Sequence, residues 1–353
     1  MVNLKRALIL LFCVSALICT VSGAELQSEL PPSARELLGG VSPDGQTDVP
    51  LALQKMTARA AEQSGSELRA AMRAAALLIA VAIFAAAAQS AELPLRRVVS
   101  FSSACAVAAI CGGNLRAMLT LCREVMDELA TFHTALLPTM ATAAALSGAP
   151  ASASALYAAT VTVGQLLLRL LTAVVFPAIA AYAALSTADS AIEGGTLGGL
   201  CNLLEQVLTR VMRFCTFAFT AYLSVTGVLH GGADALAVKT AKMAQSAAVP
   251  MVGGILSDAT ETVLAQSQVA LQTTGVFGLL ALLAVLLVPF FRIAVQQIVL
   301  SVTSAVCGLL GAAAVAKLTA AMAKAVSFYL AASAAAGLFC FVSCVCLMKV
   351  GGG

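Results

Sequence analysis

From residue 74 onward the chain runs as long apolar blocks cut by short polar interruptions. A membrane span needs about 20 apolar residues, with roughly 17–25 tolerated. On that rule the candidate spans are Ala74–Ala91, Val98–Gly113, Phe132–Ser147, Ser152–Leu168, Leu170–Ser186, Phe214–Leu229, Thr273–Phe291, Ile293–Ala316 and Ala325–Met348. The second, third and fourth are short and rich in Ala, which adds little to insertion, so re-entrant or buried helices are an alternative there. Ala155–Leu185 also reads as one long, kinked helix carrying Arg169 and Pro177. The pattern predicts an all-α, polytopic membrane helix bundle over residues 74–353, with about six to nine membrane segments.

The N-terminal pattern differs. Lys5 and Arg6 precede an unbroken apolar run from Ala7 to Val21, and Ser22-Gly23-Ala24 supplies small residues at a cleavage position. This predicts a secretory signal peptide over residues 1–24, the alternative being an uncleaved anchor helix. Residues 25–73 form a polar, extracytoplasmic segment whose Pro31-Pro32 and Gly39-Gly40 read as turns. From about Leu51 this segment turns helical, either as an amphipathic surface helix or as a solvated lead into the first span.

Composition removes whole classes of function. The 353 residues are 60% hydrophobic and 10% charged, whereas a soluble globular chain carries about 25% charged residues. A net charge of +3 leaves no basic patch for nucleic acid. Charge does not orient the spans. With nine spans Arg96, Arg97, Arg210, Arg213, Arg292 and Lys349 fall inside, and Arg116, Arg123, Arg169, Lys239, Lys242, Lys317 and Lys324 outside. A membrane protein that obeyed the positive-inside rule would be lopsided.

Catalytic signatures are missing. The chain has two histidines, His133 and His230, and lacks H-E-x-x-H, the phosphate-binding loop and G-x-S-x-G. No C-x-x-C pair occurs among the 11 cysteines, so they read as small core hydrophobes, not as metal ligands. No catalytic, cofactor-binding or metal-binding residue is assigned, and the expectation is a protein that is not an enzyme and holds no cofactor.

Polar groups inside apolar runs are the candidates for function. Arg169, one turn after Gln165, interrupts an apolar run, at an insertion cost of about 2.5–3.5 kcal/mol. It reads as a path-lining residue or as a turn or snorkelling residue. Gln296 and Gln297, following Arg292, read as contacts across helix interfaces. Gly308, Gly311, Ala312 and the run from Ala331 to Gly337 offer close helix approach. All acidic residues fall outside the candidate spans, which argues against a proton-coupled pathway.

Residues 231–271 carry the densest pattern. Lys239 and Lys242 lie on one side of a weakly amphipathic helix, Pro250, Gly253 and Gly254 break it, and Asp258 and Glu261 have the spacing of a helix N-cap with Ser257 just before. This reads as a helix, a Gly-rich break and a capped helix, either a broken pair facing a polar path or an extramembrane hairpin.

This stretch resembles a known family. Ala233-Asp234, Val238 to Lys242 and VPMVGGILSDATETVL from Val249 to Leu264 look like the signature region of the stage III sporulation protein AE family. GVFGLLALL from Gly275 to Leu283, Pro289, Arg292 and ELPPSARELL from Glu29 to Leu38 fit it too. The resemblance implies a permease-like, multi-pass membrane subunit of the channel complex joining mother cell and forespore, needed for late forespore gene expression and endospore formation. It places the chain in the mother-cell membrane around the forespore. The implied partners are other proteins of the stage III sporulation operon, including its ATPase and ring-forming subunits, and a membrane insertase. The lipid bilayer surrounds the chain and a homo-oligomer stays open, with no nucleic acid. A stand-alone small-solute transporter and a non-conducting scaffold of the same complex are the alternatives.

Overall fold

The computed structural model describes residues 30–31, 34–35, 49–90, 96–191, 197–229 and 253–351. Six long helices carry these residues: α1 (Val49–Ser90), α2 (Arg96–Leu146), α3 (Pro150–Ala191), α4 (Gly198–Leu229), α5 (Gly253–Leu309) and α6 (Ala313–Gly351). No strand occurs among the described residues. The all-α bundle therefore agrees with the hydrophobic pattern. The signal segment, Lys239, Lys242 and Pro250 lie outside the described residues.

The segmentation differs from the sequence expectation. Among the described residues five apolar helices are long enough to cross a membrane: Gly65–Ala88, Phe101–Leu146, Pro150–Ala191, Ser267–Leu309 and Ala313–Val350. Pairs of predicted spans have fused. The spans on either side of Arg116 and Arg123 belong to α2, and those on either side of Arg292 belong to α5. Gly112-Gly113, Pro138 and Pro289 sit inside these helices without ending them. Away from water an opened backbone has nothing to bond to, so the chain stays helical through residues that would end a helix in a soluble protein.

α3 shows how a breaker is absorbed. Its first part, Pro150–Leu170, passes into a π-helical turn at Leu171–Val175 and resumes at Phe176–Ala191. The Phe176 N–H reaches five residues back to the Leu171 carbonyl. Pro177 follows at once; it lacks an N–H and its ring crowds the carbonyl four residues earlier, so a widened turn just before it relieves the clash. The Thr172 hydroxyl donates to the Leu168 carbonyl at 2.9 Å and holds the same turn. The reading of residues 155–185 as one long helix through Arg169 and Pro177 is thus the one the fold adopts.

Two turns close with the same device. After α2, Gly148 takes φ 106°, its N–H bonds to the Ala145 carbonyl at 3.3 Å, and Ala149 N–H reaches the Ala144 carbonyl at 3.4 Å. After α5, Gly311 takes φ 81°, bonding to Gly308 at 3.1 Å, while Ala312 bonds to Cys307 at 3.2 Å. Both are Schellman caps, which need a left-handed residue that only Gly adopts cheaply. Pro150 then opens α3 at a position where a missing N–H costs nothing. The second turn corrects the predicted span Ile293–Ala316, which ran straight through Gly311.

The helices alternate in direction, and α6 sits at the centre. Its buried face includes Ala325, Val326, Tyr329, Ala332, Ala336, Phe339 and Cys340. Small residues let neighbours in close, as the apolar pattern implied. A Cβ at Gly337 would overlap the Leu286 side chain of α5, and one at Gly278 would lie 2.6 Å from Leu136 of α2. Gly308 has only Ala316 within ordinary contact, at 3.9 Å. The bundle is far taller than one bilayer. The 57 residues of α5 rise about 86 Å at 1.5 Å each, against a hydrocarbon core of about 30 Å.

Candidate functional site

Charged residues interrupt the long helices, and several of them meet across helix interfaces. On α6, Lys317 and Lys324 are seven residues apart and so share a face. Lys317 Nζ lies 2.8 Å from Asp189 Oδ2 near the end of α3. Lys324 Nζ lies 2.5 Å from Glu205 Oε1 on α4. The Tyr182 hydroxyl of α3 donates to the other Glu205 oxygen at 3.4 Å. Asp189 also accepts the Leu197 N–H at 3.1 Å, which ties the start of α4 to the end of α3. Three helices are thereby fastened by two ion pairs and their supporting hydrogen bonds.

Further along the bundle the pattern continues. Arg292 of α5 places Nε 3.6 Å from Glu67 Oε1 of α1, and that Nε has no hydrogen-bond partner. On α2 the charged run Arg123-Glu124 and Asp127-Glu128 starts beside Cys122, whose sulfur accepts from Ser333 Oγ of α6 at 3.7 Å. Aromatic rings fill the interior between these contacts: Phe176 meets Tyr329 edge-on at 5.5 Å and Tyr182 meets Phe328 at 6.4 Å. From Lys317 to Ser333 these contacts extend over about 24 Å of α6, forming a tall charged belt around an aromatic interior.

The two lysine pairs are physically unlike. The Asp189 side chain is 3% exposed while Lys317 is 65% exposed. A buried carboxylate is tolerated only when it is paired and hydrogen-bonded, and Asp189 has both. Glu205 is 30% exposed and Lys324 48%, so that pair sits in water and holds position more than it stabilises.

The candidate residues from the sequence are scattered by the fold. Arg169 is exposed on α3 just before the π turn and, with exposed Gln165, points away from the core. Arg292 joins the belt. Gly253 and Gly254 are the first residues of α5, and Ser257, Asp258 and Glu261 fall inside its first turns. Asp258 is therefore not the N-cap of that helix, since α5 is already helical five residues earlier, from Gly253. Gln296 is buried with an unpartnered Nε2, and Gln297 bonds along its own helix to Ser301 at 3.3 Å, not across an interface.

The acidic residues also need correcting. Glu67, Glu124, Asp127, Glu128 and Asp189 lie within the long apolar helices, not outside them. Asp189 and Glu205 escaped the sequence reading because their lysine partners are 128 and 119 residues away. The seven-residue spacing of Lys317 and Lys324 was the one available signal.

A helical bundle with five candidate spans and cross-helix ion pairs belongs to the class of polytopic membrane proteins. A family model described as stage III sporulation protein AE matches residues 37–351. The chain belongs to that family. A curated relative from Bacillus subtilis (strain 168), named stage III sporulation protein AE, is 25% identical over 228 residues, covering 65% of this chain and 57% of the relative. The match thus spans little more than half the length of that relative. No solved structure matches the chain.

Proposed function

We propose that the chain is the permease-like, multi-pass membrane subunit of the sporulation channel complex that links mother cell and forespore, and that it serves late forespore gene expression. Its place would be the mother-cell membrane around the forespore. Its partners would be the operon's ATPase and ring-forming subunits, with a membrane insertase assisting entry into the bilayer. The observation that carries this reading is the charged belt in a bundle whose longest helix is nearly three times the thickness of the hydrocarbon core. A helix of that length cannot be covered by lipid alone, and charges held in place by cross-helix pairs suit a fixed docking surface for other subunits.

The chain would turn over no substrate of its own. Energy would come from the ATPase partner, and this subunit would supply the membrane frame.

The test is made in the sporulating host. Deleting the gene should abolish spores and restoring it should recover them, and an affinity-tagged chain should co-purify with the operon's ring-forming subunits. Normal spore yield without the gene would overturn the reading. Purified chain that hydrolysed nucleotide, with a point substitution in this chain abolishing it, would overturn the non-enzymatic part.

A further inference from the structure

Beneath the charged belt, in the apolar part of the bundle, four helices bring neutral polar groups to one buried place. His133 of α2 is 4% exposed and its Nε2 has no hydrogen-bond partner. Thr160 of α3 and Tyr222 of α4 share a buried hydrogen bond of 2.6 Å between their hydroxyl oxygens. Ser343 of α6 is fully buried and donates to the Phe339 carbonyl of its own helix at 2.7 Å.

Phe339 sits in the middle of them. Its ring lies 6.0 Å from the His133 ring and 5.3 Å from the Tyr222 ring. It also presses on α3 where there is no side chain: a Cβ at Gly164 would fall 2.8 Å from Phe339 Cε1.

Polar groups at this depth are expensive and are normally fully partnered if they only hold helices together. Here the imidazole is not. A buried nitrogen with no protein partner is satisfied by water, and water reaches it only along polar neighbours. The hydroxyls of Thr160, Tyr222 and Ser343 are such neighbours, and none of the set carries a fixed charge. Neutral oxygen and nitrogen acceptors suit water and small monovalent cations rather than anions. One apolar ring standing among them is the form of a hydrophobic constriction, which closes a path by excluding water.

We propose that Phe339 is the gate of a narrow path through the bundle, lined by His133, Thr160, Tyr222 and Ser343, and that the path admits water and small monovalent cations when the ring moves. This rests on the permease-like reading above and adds where the path runs. Gly164 is the positioning residue, since its lack of a Cβ lets the ring lie across the seam.

Purified full-length chain is reconstituted into vesicles of phosphatidylethanolamine and phosphatidylglycerol loaded with potassium ions, and efflux is followed. Wild-type chain should hold its potassium. Phe339→Ala should raise initial efflux about tenfold or more, by removing the constriction. Gly164→Ala keeps the ring but displaces it and should also leak, to a smaller extent. Phe339→Leu, which keeps an apolar plug, should stay tight. Each variant is first checked for a wild-type elution profile in detergent, and Gly164→Ala carries the test if Phe339→Ala does not fold. Folded variants of both kinds that are as tight as wild type would overturn the gate. If the chain then still co-purifies with its partners and is needed for spores, the membrane-subunit reading survives the loss of the gate. A chain dispensable for spores would overturn that reading whatever the vesicles show.

Discussion

The charged belt and the polar seam beneath it solve the same problem in opposite ways. Both bring polar side chains of several helices together inside a bundle that is otherwise apolar. The belt uses full charges, and each lysine pair keeps at least one partner in contact with water: Lys317 beside buried Asp189, and both Lys324 and Glu205. The seam uses hydroxyls and an imidazole, all buried, with no charge. The contrast follows from the cost of charge. A lysine can extend its head to bulk water from a partly buried stem, whereas the seam's side chains are too short and too deep to reach the bulk. The belt is therefore suited to fastening helices and the seam to being opened.

The first way to sharpen this comparison is to break the pair whose carboxylate is buried. Lys317→Ala leaves Asp189 charged and without its cation, and should lower unfolding stability in detergent by about 3 kcal/mol, within the range for an orphaned buried charge. Adding Asp189→Asn should recover most of that loss. If Lys317→Ala costs nothing, the belt does not fasten these helices.

A somewhat smaller loss is expected at the close approach of α5 and α6. Gly337→Ala puts a Cβ into the Leu286 side chain and should cost about 1–3 kcal/mol through overpacking. Leu286→Ala in the same chain should relieve it, which thermal unfolding of the double variant checks.

In the seam, Thr160→Val removes one partner of the Tyr222 hydroxyl and should cost about 1 kcal/mol. Equal unfolding midpoints for Thr160→Val and wild type would mean the Tyr222 hydroxyl has another partner ready.

Smaller still is the exposed side of the belt. Lys324→Ala should cost less than about 1 kcal/mol and should lose even that in high salt, as water-exposed pairs do. Arg169→Gln, at an exposed position with no core contact, should fall within about 0.5 kcal/mol of wild type. A large effect of Arg169→Gln on spore yield with unchanged stability would restore it as a path or partner residue.

The apolar blocks by themselves determined the class of this protein. Burial in lipid demands long helices, and a run such as residues 273–291 can be little else. The Gly148-Ala149-Pro150 turn carries a local signal as well, a left-handed Gly followed by a Pro at the next helix start, though the apolar pattern alone did not single it out. The resemblance at residues 249–264 pointed to the family that residues 37–351 match. What the chain could not show from its own pattern was where helices continue. Arg116, Arg292 and Gly112-Gly113 look like interruptions, yet each lies within a helix, since neighbouring helices supply the packing that replaces water. Nor could spacing reveal which carboxylates meet Lys317 and Lys324, or that His133, Thr160, Tyr222 and Phe339 converge. Those meetings join residues far apart in sequence, and only the packing of α2, α3, α4 and α6 around one another decided them.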